Sequence, residues 1–505
     1  MYRNDNDALS VMDWFCGAGG SSQGAHAVPG VRVERAANHW AKAIDSHEAN
    51  FPEASHYRGD IRKAPVWDWP VTDVFWASPE CTNWSVAKGK RRNFDTAMQG
   101  SLLDLLVEQQ EEEPADLEEE SRALMEEVPL YLRGVQERGG LVKAGVVENV
   151  TDVRAWDQWD RWIGELHKMG YRTRIIALNS MHANPRSVHA APQSRDRLYV
   201  GYWHESLGRT PDWDKWLRPR AWCSGCDAWV QAMQVFKTPG RDMGRYRTQY
   251  VYRCPSTSCR NQIVEPDALP AAAAIDWSIP GQRIGDRAKP LADKTIARIE
   301  AGMKKFSRPV AIPDSRMVPP LLVPVEGRDG KEARSAHDPL RTMTTRNETG
   351  LAWLPFIAEL RGGGSVARSV TDALATVTAS GNHHGLVTPE SVDWQDLLIP
   401  YYSNGTARTV AEPIGALSTR DRYAHVRGAV DIEDVRFRML EPHEIGRAMS
   451  FADDYIVLGS KRDKVRQYGN AVTPNAAEVI LCALVEAING EELERYAQPE
   501  LSIAA

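Results

Sequence analysis

Residues 9–20 read LSVMDWFCGAGG, a short apolar run that breaks into a glycine-rich turn before a helix-compatible stretch. The run has the length of a buried strand. Glycines in the turn let the backbone approach a ligand closely and adopt positive φ. Outward from it the pattern repeats. VRVERAAN (31–38), TDVFWASP (72–79), GVVENV (145–150), RTRIIALN (172–179) and RLYVGYW (197–203) are further strand-like runs separated by helical segments. Strands alternating with helices predict an α/β fold with a Rossmann-like, mostly parallel sheet.

The chain has 505 residues, enough for two or three domains, with 42% hydrophobic and 26% charged residues. Its N-terminus lacks an apolar signal-peptide core, and no uninterrupted apolar run reaches 18 residues, so a cytoplasmic protein without a membrane partner is expected. The net charge of −7 does not suggest a polyanion binder. It is unevenly spread, however. Eleven acidic residues against Arg122 alone lie between Asp104 and Glu127, and setting that block aside leaves the remainder at +3. The block has helical composition and reads as an exposed helix or flexible insert. Basic clusters such as residues 88–92 can then meet phosphate, or simply be solvated loop.

Three strand ends carry chemistry-bearing side chains. Cys81 follows TDVFWASP on a turn, where α/β sheets place ligands, and a thiol there suits a nucleophile or a half-buried structural cysteine. Glu148 ends another apolar run, and burial there would favour the protonated carboxyl, a proton donor to a ring nitrogen. Arg195 and Arg197 lie at i and i+2 on an extended segment and would face one side together. Asp60 follows a later element and suits either an adenine amino group or a turn cap.

Cys223, Cys226, Cys254 and Cys259 form C-x2-C-x27-C-x4-C, spacing suited to one tetrahedral zinc held by two hairpin turns. Four thiolates close the coordination sphere, which makes the zinc structural. The basic, aromatic stretch 241–253 lies between the pairs. Further on, ARSAHDPLRTMT (333–344) is echoed at 367–378 and again from Ala407. Each copy reads as an Ala-Arg-Ser/Thr turn joined to a Thr-rich strand, giving a small β-rich region that is either a packing repeat or a surface for a polymer.

In order along the chain, these blocks resemble the DNA cytosine-5 methyltransferase family. The cofactor loop resembles 13–20, the adenine-binding acid Asp60, the Pro-Cys loop 79–85, Glu-Asn-Val 148–150, and Gln-x-Arg-x-Arg 193–197. Near the C-terminus, 438–444 resembles Arg-x-Leu-x-x-x-Glu, and 469–474 the closing Gly-Asn-x-Val-x-Pro. The resemblance implies S-adenosylmethionine held by Asp13, Phe15, Gly17, Gly19, Gly20, Trp40, Asp60, Asn470 and Val472. It implies attack by Cys81 on C6 of a flipped-out cytosine, Glu148 at N3, and Arg195 with Arg197 on the base oxygen. It implies a core of 1–205 plus 431–505, a zinc-ribbon insert at 206–265 and target recognition at 266–430. Double-stranded DNA is the implied partner of a monomer serving restriction–modification or protection of phage or host DNA, with a cognate restriction endonuclease as a candidate partner. RNA cytosine methylation and a catalytically silent DNA-binding relative are the alternatives. Two departures stand out: Glu80 precedes Cys81 where the family usually has proline, and His39 stands where many relatives have a ribose-binding glutamate.

Overall fold

A computed structural model describes residues 8–80, 123–269 and 441–495, the backbone of 117–122, and short segments, chiefly strands, between 270 and 440. The chain divides into two compact units: 1–274 with 339–346 and 442–505, and 275–338 with 347–441.

The first unit is built on seven strands: β1 (Leu9–Trp14), β2 (Val31–Asn38), β3 (Ser55–Arg58), β4 (Val74–Ala77), β5 (Ala144–Asn149), β6 (Tyr171–Asn179) and β7 (Asp196–His204). Their order is β3-β2-β1-β4-β5-β7-β6; β7 runs antiparallel to both neighbours and the other pairings are parallel. The expected mostly parallel α/β sheet is present. β4 and β5 are buried at every position, as strands covered on both faces must be. The chain order reverses between β1 and β4, which opens a crevice at their carboxyl ends. β3 was not foreseen; it is short and partly exposed, without a sharp apolar pattern.

Helices α1 (Gly20–His26) and α2 (Ala41–Asn50) connect the first strands, and α3 (Leu117–Glu137) precedes β5. The acidic block is therefore not wholly an exposed insert. Its end is the first half of α3, which buries Met125, Val128, Tyr131, Leu132 and Val135 as a helical stripe in the core. Residues 104–116 lie outside the described residues. α4 (Trp159–Lys168) leads into β6, and α5 (Trp213–Leu217) follows β7.

The C-terminal segment returns through α6 (Pro442–Ala448), α7 (Lys461–Asn470) and α8 (Pro474–Asn489). Within 461–489 an 18-residue window is long and apolar enough to cross a membrane, but 89% of it is buried in the core. Glu478 on α8 is fully buried, and its carboxylate accepts from the Ser187 hydroxyl and the backbone N–H groups of Arg186, Ser187 and Val188. That multidentate contact ties the helix to the loop before β7.

After α5, the hairpin β8 (Arg220–Cys223) and β9 (Ala228–Gln231) precedes a three-stranded sheet of β10 (Met233–Phe236), β11 (Tyr250–Arg253) and β12 (Ile263–Val264). In the second unit, three short strands each have two antiparallel neighbours: Leu321–Pro324, Phe356–Glu359 and Leu397–Pro400. One neighbour in each case is the Ala-Arg-Ser/Thr motif (Arg334–Ser335, Ala367–Ser369, Arg408–Thr409). The motif is thus strand rather than turn, and its Thr-rich continuations lie outside the described residues.

Candidate active site at the carboxyl edge of the sheet

The turn after β1 is shaped by its glycines. Phe15, Gly17 and Gly19 have φ of 60°, 53° and 92°. A Cβ on Gly17 would meet nothing within 4 Å, so space lies beside it. A Cβ on Gly20 would lie 1.9 Å from the Val472 carbonyl oxygen, so only glycine lets the returning chain approach α1 so closely. Val472 is buried there, whereas Asn470, the last residue of α7, is exposed.

Asp13 is fully buried at the end of β1. One carboxylate oxygen accepts from the Ser21 (2.5 Å) and Ser22 (2.7 Å) hydroxyls, and the other, Oδ1, has no hydrogen-bond partner among the described residues. Burial pushes its pKa up to about 7, against the two serine bonds. The Ser22 hydroxyl also meets His47 Nε2 at 2.9 Å. Ser21, Ser22 and His47 were not anticipated; hydroxyls in the first turn of α1 were the available signal.

Trp40 begins α2 half-buried, with the Arg466 guanidinium 4.4 Å from its ring centroid. Asp60 caps the turn at Ile61–Lys63, accepts from the Arg62 backbone N–H at 3.0 Å and pairs with its guanidinium at 2.7 Å. Its turn-cap role is therefore realised, and the Arg62 bonds hold its carboxyl below the usual range. The two departures noted in the sequence face one another: His39 Nε2 lies 3.6 Å from Glu80 Oε1.

At the ends of β5 and β7, Glu148 Oε1 lies 3.2 Å from Arg197 Nε, both side chains nearly buried. Desolvation raises the Glu148 pKa, opposed by Arg197, by Arg195 and by a hydrogen bond from Ser78. Asn149 Nδ2 donates to the Pro79 carbonyl at 3.3 Å. The stub Ser78–Pro79 is thus bonded to the residues that end β5. Cys81 itself lies outside the described residues, as does the basic loop 85–92. Arg195 is buried and takes a different part from Arg197: its Nη2 donates to the carbonyls of Gly469 (3.2 Å) and Ala471 (3.0 Å), pinning the segment that ends in Val472. Asn179, unforeseen, accepts from the Arg195 backbone N–H at 3.0 Å.

The four cysteines expected to bind zinc converge. Their sulfur atoms all lie within 4.8 Å of one another, with Cys223–Cys259 at 3.7 Å and Cys226–Cys254 at 3.8 Å. Zinc–sulfur bonds of about 2.3 Å in a tetrahedron require sulfur–sulfur edges of about 3.8 Å, so the set fits that ion.

The family model of the C-5 cytosine-specific DNA methylases matches residues 9–112 and 373–486. The chain is similar to this family over these two segments, which together make up less than half of its length. The matched segments hold the β1 turn, the Cys81 loop and the returning α6–α8 segment. Members of that family use S-adenosylmethionine and act on nucleic acid. A comparison with curated proteins finds no match. Similar solved structures include an Entamoeba histolytica methyltransferase (11% identity, 96% of this chain and 99% of that one, TM-score 0.42). Others are a putative DNA modification methyltransferase of an E. coli prophage (14%, 95% and 100%, 0.43) and the S. pombe Dnmt2 methyltransferase (10%, 95% and 99%, 0.44).

Proposed function

We propose that this chain is a C-5 cytosine methyltransferase that acts on double-stranded DNA, through a bond between Cys81 and C6 of a cytosine turned out of the duplex. The observation that carries the reading is the buried Glu148 carboxyl set against Arg197, with the stub leading to Cys81 bonded to the same strand end. Burial favours a protonated Glu148, the form able to donate to cytosine N3.

The Cys81 thiolate supplies the electron pair for the sulfur–C6 bond while Glu148 gives its proton to N3. The ring electrons then concentrate at C5. When bound, S-adenosylmethionine would supply the methyl group on a sulfonium, the electrophile that C5 needs, with the bonding pair left on its sulfur as a neutral thioether. Loss of the C5 proton to a base returns the ring electrons, N3 gives its proton back, and the Cys81 thiolate is expelled. Arg197 orients Glu148 and holds the base oxygen as charge develops there. Arg195 supports it from behind while pinning the segment before Val472.

The cofactor fits the crevice between β1 and β4. Gly17 borders open space, Gly19 keeps the turn close to Tyr455 and Gly20 keeps it close to Val472, and Oδ1 of Asp13, unpartnered among the described residues, offers an acceptor. Phe15, Trp40, Asp60 and Asn470 complete the proposed binding set. Zinc at Cys223, Cys226, Cys254 and Cys259 would be structural. Residues 266–430 would read the DNA, and the mark would protect phage or host DNA from nucleases.

Methyl transfer to duplex DNA and to transfer RNA, read as 5-methylcytosine by nucleoside mass spectrometry, tests the substrate. Product in duplex DNA alone supports the proposal. Product confined to transfer RNA replaces it with the RNA reading, and cofactor binding without product on either replaces it with a silent binder.

A further inference from the structure

We propose that residues 241–250, the end of the loop between β10 and β11 with the first residue of β11, are a positioning clamp that grips both halves of the Glu148–Arg197 pair. The proposal rests on the reading that this pair acts on the base. Four contacts carry it, and they fall on two different elements. On the Glu148 side, six residues beyond it, Arg154 makes a two-pronged pair with Asp242 (Nε–Oδ1 2.9 Å, Nη2–Oδ2 3.0 Å). Nearby, Arg245 Nη2 reaches Asp152 Oδ2 at 3.2 Å. On the Arg197 side, the neighbouring Asp196 accepts from the Tyr246 backbone N–H at 3.0 Å and from the Tyr250 hydroxyl at 3.4 Å.

The contact is packed as well as bonded. His182, buried just after β6, meets Tyr246 and Tyr252 edge to face at 4.4 and 5.1 Å between ring centroids. Gln234 on β10 donates to the Ala177 carbonyl of β6 at 2.7 Å. Tyr250 and Tyr252 lie on β11, and that strand runs directly into Cys254. The cysteine cluster therefore anchors the strand whose Tyr250 hydroxyl bonds Asp196. A structural insert needs only to be attached somewhere. This one closes on the segment after β5 and on the start of β7, the two elements whose relative position sets the 3.2 Å contact between Glu148 and Arg197. Displacing reacting groups by about 1 Å can cost roughly 100-fold in rate.

The test is Asp242→Ala/Arg245→Ala, which cuts the Glu148-side contacts at partly exposed side chains. Trp222→Ala, an exposed residue on the β8–β9 hairpin, is the control. Hydrogen–deuterium exchange of the double variant should rise in both 144–154 and 194–200. Its kcat should fall about tenfold, with KM for cofactor and nucleic acid unchanged, while the control matches the parent in both. The proposal is overturned if exchange rises in neither segment, or if Trp222→Ala loses as much kcat. It is equally overturned if KM for nucleic acid rises at constant kcat, which would make Arg245 a phosphate contact. Should the parent protein methylate neither DNA nor RNA, the function has failed, and the exchange measurement alone still decides the clamp.

Discussion

Arg197 Nε lies 3.2 Å from Glu148 Oε1, joining the carboxyl end of β5 to the start of antiparallel β7. Burial raises the Glu148 pKa and the guanidinium holds it back. If the protonated acid is the working form, activity falls as pH rises through that pKa. Arg197→Ala removes the restraint, so the alkaline limb of the kcat profile should move to higher pH. The same variant should lose roughly 100-fold in kcat, the usual effect of deleting a charge-stabilising donor. A limb that stays in place would separate Arg197 from the acid.

Asp13 titrates near 7 in the folded chain against an ordinary value of 3.8. The folded state therefore binds more protons than the unfolded one between about pH 4 and 7, and stability falls as pH rises across that window. Asp13→Asn should show a flatter denaturation profile there than the parent. A cationic cofactor beside Asp13 favours the carboxylate. Binding near pH 6.5 should thus release a proton, seen by calorimetry in buffers of different ionisation enthalpy and absent in the variant.

Gly20→Ala places a methyl group against the Val472 carbonyl, where backbone must move. A loss of about 1–3 kcal/mol is expected on denaturant unfolding, together with weaker binding of S-adenosylmethionine. Unchanged affinity in the variant would place the cofactor away from this turn.

Glu478→Ala strips three backbone N–H groups and one hydroxyl of their buried acceptor. Each unsatisfied group costs about 1–3 kcal/mol, so the variant should unfold several degrees below the parent. Glu478→Gln, which keeps one acceptor oxygen, should recover part of the loss.

The purified protein should carry about one zinc per chain, measured by metal analysis, and Cys226→Ser/Cys254→Ser should carry none. Chelation should lower the unfolding temperature, and added zinc should restore it by mass action.

Much of this was legible in sequence because strand ends announce themselves. Asp13, Glu148 and Arg197 each sit where an apolar run meets a turn, and the paired cysteines needed only their spacing. What stayed hidden depends on contacts distant along the chain. Arg195 and Arg197 share a spacing, yet the first reaches Gly469 and Ala471, and no periodicity discloses a partner more than 270 residues away. Asp60 could cap a turn or hold a ligand, and Arg62, two residues on, brings out the cap. Acidic composition suggested an exposed segment at 104–127, but it could not show that Met125 and Val128 begin a buried stripe. The facing of His39 and Glu80 required the ends of β2 and β4, with β1 between them, to be brought to one edge of the sheet.

The central claim, that Cys81 attacks cytosine in a pocket holding Glu148 and Arg197, is tested most directly by trapping on duplex DNA containing 5-fluorocytosine. Fluorine at C5 blocks loss of the proton that would release the enzyme. With S-adenosylmethionine present, mass spectrometry should find one covalent DNA adduct per chain, on the peptide carrying Cys81, and none with Cys81→Ala. An adduct that persists in Cys81→Ala, or methyl transfer to DNA by that variant, would contradict the account.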